Sequence, residues 1–141
     1  MPLHPAAWRW LVAAWLIAMA ATLGALFIGE VMGMTPCLLC WYQRICMFPL
    51  AAILGMAAFM EDRRGALYAL PLAIVGVGFA ATHSALVLQW VPVWWLPCGA
   101  GPSCSNQALT QLHGVQLPFL SLAAFLAIAA CLALHLRKTR P

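Results

Sequence analysis

Four long apolar runs dominate the chain, Trp10 to Ile28, Leu38 to Met60, Leu67 to Leu88 and Leu117 to Leu136, and the polar positions gather between them. Each run meets the requirement of roughly 20 predominantly apolar residues for a helix that crosses a bilayer. Between the second and third runs, Glu61-Asp62-Arg63-Arg64-Gly65 is a polar turn so short that the flanking helices must be antiparallel neighbours. Gly29 to Pro36 joins the first two runs almost as tightly. Only Gln89 to Gln116 forms a substantial loop, and it holds no Lys, Arg, Asp or Glu. The pattern predicts an all-α membrane protein: a four-transmembrane-helix bundle in a single integral-membrane domain over residues 1–141, with outer loops at about 29–37 and 89–116. No internal repeat or low-complexity tract interrupts it.

Composition agrees with the pattern. Of 141 residues, 65% are hydrophobic and 7% charged, against about half and a quarter in a soluble domain. The net charge of +4 does not point to nucleic acid, because the basic residues stand at the ends of apolar runs. Arg9, Arg63, Arg64, Arg137, Lys138 and Arg140 fall at the N-terminus, the middle turn and the C-terminus, which a four-span topology puts on one side. The positive-inside rule makes that side cytoplasmic. Both termini are then expected inside, and the loops near Glu30 and after Gln89 outside, with Trp90, Trp94 and Trp95 as interfacial anchors. Arg9, an apolar run and Ala18-Met19-Ala20 imitate a signal peptide, but the run exceeds the usual ~7 to 15 residues, so a retained helix is expected.

The candidate chemistry lies in the cysteines. Thr35-Pro36-Cys37-Leu38-Leu39-Cys40-Trp41-Tyr42-Gln43-Arg44 opens the second span, with Thr35 as expected N-cap and Pro36 in the first helical position. A helix N-terminus favours a thiolate, the form that attacks disulfides. At 100° per residue, Arg44 lies about 40° around the helix from Cys40 and about 20° from Cys37, so the three share a face. An arginine inside an apolar span by default faces the bundle interior. There it would stabilise a thiolate and the charge on a reduced quinone oxygen; the plain alternative is snorkelling to the interface. For the pair itself, the plain alternative is a structural disulfide or two buried thiols.

Cys98-Gly99-Ala100-Gly101-Pro102-Ser103-Cys104 places a second pair in the long outer loop. So small a ring stabilises by only about 2–2.5 kcal/mol on chain entropy, so an exchangeable disulfide is the stronger reading and a structural one the weaker. All four of these cysteines fall on the side where disulfides persist. Cys46, about 240° from Cys40, and Cys131, near the inner end of the fourth span, read as packing. His83, in the third span, reads as a hydrogen-bond or proton donor to a quinone carbonyl or as a packing contact, and Glu30 as solvated. Gln43 and Gln89 stay open, and no metal site is expected.

At these residues the sequence resembles the disulfide bond formation protein B (DsbB) family, notably its shorter BdbC-like members. The resemblance rests on the segment Thr35 to Arg44, on Pro97-Cys98-Gly99 and Gly101-Pro102-Ser103-Cys104, and on Leu117-Pro118-Phe119-Leu120-Ser121-Leu122. It implies a bacterial inner-membrane enzyme that reoxidises an extracytoplasmic, DsbA-like thioredoxin-fold thiol oxidase and passes two electrons to ubiquinone or menaquinone. It further implies that Cys37 and Cys40 are the quinone-coupled pair, Arg44 the quinone-site arginine, His83 a third-span counterpart, and Cys98 and Cys104 the partner-facing pair. The enterobacterial form separates its second pair by a longer, helix-containing segment; here five residues intervene. The rival readings are a vitamin K epoxide reductase-like enzyme running electrons the other way, a metal-binding membrane protein using the outer thiolates, and a non-catalytic assembly subunit.

Overall fold

A computed structural model describes residues 5–92, 94, 111–112 and 114–139. Its helices are α1 (Pro5–Leu26), α2 (Leu38–Phe59), α3 (Arg63–Val87) and α4 (Leu117–Lys138), each long and apolar enough to cross a membrane. The chain is a multi-pass membrane protein with an all-α fold. A two-residue ribbon, β1 (Gln111–Leu112) paired antiparallel with β2 (Val115–Gln116), precedes α4 and was not visible in the hydropathy pattern.

The helices close into a ring in which α1 packs on α2, α2 on α3, α3 on α4, and α4 back on α1. Lipid is as apolar as leucine, so contact between helices depends on close packing and small residues. α1 turns Ala7, Leu11, Ala14 and Ala18 inward, and α3 turns in Ala66, Ala69, Ala73, Gly76 and Ala80. Gly76 is required by the fold, since a Cβ there would collide with the ring of buried Phe125 on α4. Large apolar side chains such as Leu16, Leu23, Ile45, Ile74 and Leu126 stay on the outside, as a lipid-facing surface requires.

Helix ends depart from the apolar runs for local reasons. α3 begins at Arg63 because the Asp62 carboxylate accepts the Arg64 backbone N–H as its N-cap. α1 does not stop near Ile28; it continues through a π-helical turn, Phe27–Val31, and then reverses over Gly33 at φ +67. α2 is capped two residues later than expected. Cys37, not Thr35, is its N-cap: the backbone there is extended, and the Cys37 carbonyl accepts the first helical bond, from Trp41 N–H at 3.1 Å. Pro36 therefore lies before the cap, outside the helix, where its missing N–H costs nothing.

At the end holding the α1 start and the α4 end, Trp8 Nε1 donates to the Ala58 carbonyl at 3.1 Å and Arg63 Nε to Thr139 Oγ1 at 3.1 Å. At the other end, α2 begins and α3 finishes, and the packing loosens around a cavity.

Candidate functional site

The cap position sets the geometry of the first cysteine pair. With Cys37 as N-cap, Cys40 is the third residue of the helix, the spacing at which a cap side chain folds back over the first turn. The Cys37 thiol donates to Cys40 Sγ across 3.1 Å. This bond, with burial adding to it, pushes the Cys37 thiol up to about 12, against a smaller opposing effect of His83. The proton is held there and the Cys40 sulfur accepts.

His83 belongs to this cluster. It lies in the last turns of α3, 1% exposed, with Nε2 3.8 Å from Cys37 Sγ and Nδ1 3.0 Å from Gln43 Nε2. Gln43, left open by the sequence, is buried and bridges α2 to α3 through this ring. Its position three residues beyond Cys40 was the available signal, but only the packed helices show what it meets. Cys37, Cys40 and His83 bring their ligand-type atoms within 4.8 Å of one another.

Arg44 turns toward α1. Its Nη2 donates to the Ala25 carbonyl at 2.8 Å, and its guanidinium lies 5.7 Å from the Trp41 ring centroid. The π-helical turn passes directly beneath: a Cβ on Gly29 would come 2.9 Å from Arg44 Nη2. Such turns often mark functional positions, and Gly29 and Ala25 are contributors that sequence reasoning missed. Glu30 is exposed, as expected of a solvated group.

Cys37, Cys40, Gln43, Arg44 and His83 all line one cavity of about 230 Å³. Its other walls are mainly apolar, from Gly24 and Ala25 on α1, Ile28 in the π-helical turn, Phe48 on α2, and Leu120 and Ala124 on α4. Cys46 and Cys131 are instead buried in the main core. Trp90 and Trp94 are exposed. Cys98 and Cys104, with Trp95, lie outside the described residues.

The family model for disulfide bond formation protein DsbB matches residues 7–135, nearly the whole chain. The chain belongs to the DsbB family. It is 47% identical to a probable disulfide formation protein of Metapseudomonas resinovorans, over 95% of this chain and 94% of that one. Disulfide bond formation protein C of Bacillus subtilis is 42% identical, over 84% and 86%. A probable disulfide formation protein of Chlamydia trachomatis is 44% identical, over 86% and 87%. No solved structure matches significantly. This DsbB-family chain is a disulfide-forming membrane oxidoreductase, and the cavity is where Cys37 and Cys40 meet polar side chains inside an apolar bundle.

Proposed function

We propose that this chain reoxidises an extracytoplasmic, DsbA-like thioredoxin-fold partner and passes two electrons to a membrane quinone, ubiquinone or menaquinone. The observation that carries the reading is the convergence of Cys37, Cys40, Arg44 and His83 on one apolar cavity within the bundle. The lining fits a quinone head group: apolar walls for the ring, with Arg44 and His83 as donors for its oxygens. When bound, a quinone supplies an acceptor for two electrons and two protons.

The chain's own steps are thiol exchanges. A partner thiolate attacks the Cys98–Cys104 disulfide to give a mixed disulfide. The partner's second thiolate then resolves it, leaving the partner oxidised and Cys98 and Cys104 reduced. One of these loop sulfurs attacks the Cys37–Cys40 disulfide, and the other displaces it, restoring Cys98–Cys104 and leaving Cys37 and Cys40 reduced. Re-forming the Cys37–Cys40 bond releases two electrons and two protons. Cys40, nearer Arg44 along the helix, is the electron-donating sulfur. Cys37 holds a proton that His83 Nε2, 3.8 Å away, is placed to take.

The six basic residues at the termini and middle turn support cytoplasmic termini in the inner membrane, with both cysteine pairs on the periplasmic or extracytoplasmic side. We read the chain as one integral-membrane domain. The test uses purified chain, reduced partner and quinone. Partner thiols should disappear with equimolar quinol formed, and a partner lacking its resolving cysteine should be trapped at Cys98 or Cys104. Trapping at Cys37 or Cys40 overturns the order, and no quinol with either quinone overturns the reading.

A further inference from the structure

We propose that the reduced Cys37/Cys40 pair, with His83, forms a binding site for a thiophilic divalent cation, Zn²⁺, which captures the pair in its dithiolate form and stops turnover. The inference rests on Cys37/Cys40 being a reversibly oxidised pair, but not on the identity of the electron acceptor.

Three observations carry it. First, the donor set is two thiolates and an imidazole with one side left open, the pattern of three-ligand zinc sites that keep a place for a water or substrate. The open side here is the cavity. Second, two of the three ligand separations stand close to those the ion needs. Tetrahedral zinc with bonds of about 2.3 Å to sulfur and 2.0 Å to nitrogen separates a sulfur from the nitrogen by about 3.5 Å and two sulfurs by about 3.8 Å. Cys37 Sγ already stands 3.8 Å from His83 Nε2, and Cys37 and Cys40 Sγ, 3.1 Å apart, need to part by roughly 0.7 Å on those zinc–sulfur lengths. All three ligand atoms lie within 4.8 Å of one another.

Third, the outer contact is in place. A zinc-bound histidine nearly always gives its other ring N–H to an acceptor, which fixes the tautomer. His83 Nδ1 has the Gln43 amide at 3.0 Å. Turning that amide about its last bond puts Oε1 there, so Nδ1–H donates to Gln43 and the Nε2 lone pair faces the sulfurs. Binding exchanges two thiol protons for one Zn²⁺, with no change in oxidation state. The disulfide has no thiolates to offer, so zinc and oxidation exclude each other.

The experiment titrates Zn²⁺ against a chromophoric chelator with full-length protein carrying Cys98→Ser and Cys104→Ser, which leaves Cys37 and Cys40 as the thiols that border the cavity. One Zn²⁺ per reduced chain is expected, none per oxidised chain, with both cysteines shielded from maleimide until chelator is added. Gln43→Leu should weaken binding about 10- to 100-fold, and His83→Ala at least as much. Equal binding by the oxidised chain, or no binding by the reduced one, overturns the proposal, as does wild-type affinity in His83→Ala. Should that variant not fold, zinc X-ray absorption on the parent decides: two sulfurs and at least one imidazole nitrogen support the site, and a shell without nitrogen overturns it. None of these readouts involves quinone or partner, so failure here leaves the electron-transfer reading to its own test.

Discussion

Among the described residues, two histidines are buried at opposite ends of the bundle, and the contrast between them separates a site from a packing contact. His83, at the end of α3, meets a sulfur, a buried amide and a cavity. His135, in the last turn of α4, is fully buried and bonds the Ala7 carbonyl through Nδ1 at 2.9 Å, tying α4 to the start of α1; its Nε2 is without a hydrogen-bond partner. Both are equally hidden from solvent. The difference lies in the neighbours: at one end a backbone carbonyl among packed helices, and at the other a polar cluster that borders an opening. The cysteines repeat the lesson, since Cys46 and Cys131 are sealed in the core while Cys37 and Cys40 border the cavity.

The strongest challenge to this division is Cys40→Ser beside Cys131→Ser. Turnover with reduced partner should fall on the order of a thousandfold or more for Cys40→Ser, with helix content retained in circular dichroism. Cys131→Ser should keep its specific activity once folded. Comparable losses in both would erase the distinction between the two classes of cysteine.

Two glycines sharpen it further. Gly76→Ala drives a methyl into Phe125 in the tight part of the bundle, and overpacking of this kind costs about 1–3 kcal/mol. Thermal unfolding in detergent should report that loss, while activity per folded molecule holds. Gly29→Ala meets only the tip of a flexible arginine. It should leave thermal stability nearly unchanged and lower turnover about tenfold, the worth of a hydrogen bond to a charged group. Reversed outcomes would mean that Arg44 supports the fold and not the chemistry.

The smallest effect concerns the proton in the reduced pair. Because the Cys37 thiol is pushed up to about 12 by its bond to Cys40 and by burial, Cys40 should be alkylated first near pH 8. Modification of Cys37 should rise only as pH approaches that value. The raised value also sets a sign for stability: the contribution is fully present below the unfolded thiol value of 9.0 and is lost as pH climbs toward about 12. Mass-spectrometric mapping of a pH series checks the order, and Cys37 reacting first would reverse the assignment of donor and acceptor sulfurs.

Much of this was legible in the chain. Apolar runs of bilayer length require helices, because lipid offers no partner for an open backbone group, and four such runs mean four helices. The CxxC with Arg44 two turns on announced the first pair, since few residues are so costly to place in an apolar span. A Thr-Pro start locally favours a cap at Thr35, and only the backbone bond from Trp41 to Cys37 puts it at Cys37. The π-helical turn was invisible for the same reason: Phe27–Val31 is as apolar as an ordinary helix end, apart from Glu30.

What the sequence determined by itself was the medium, the number of helices and the presence of redox-capable thiols, because these depend on hydropathy and residue type along one segment. The tertiary structure alone decided that Gln43 on α2 meets His83 on α3, that Arg44 reaches the Ala25 carbonyl over Gly29, and that a cavity opens beside Cys37 and Cys40. Those side-chain contacts join residues 40 and 19 positions apart on different helices. Helix rotation and crossing set them, through the small residues at each interface, and no local pattern in one helix records how its neighbour is turned.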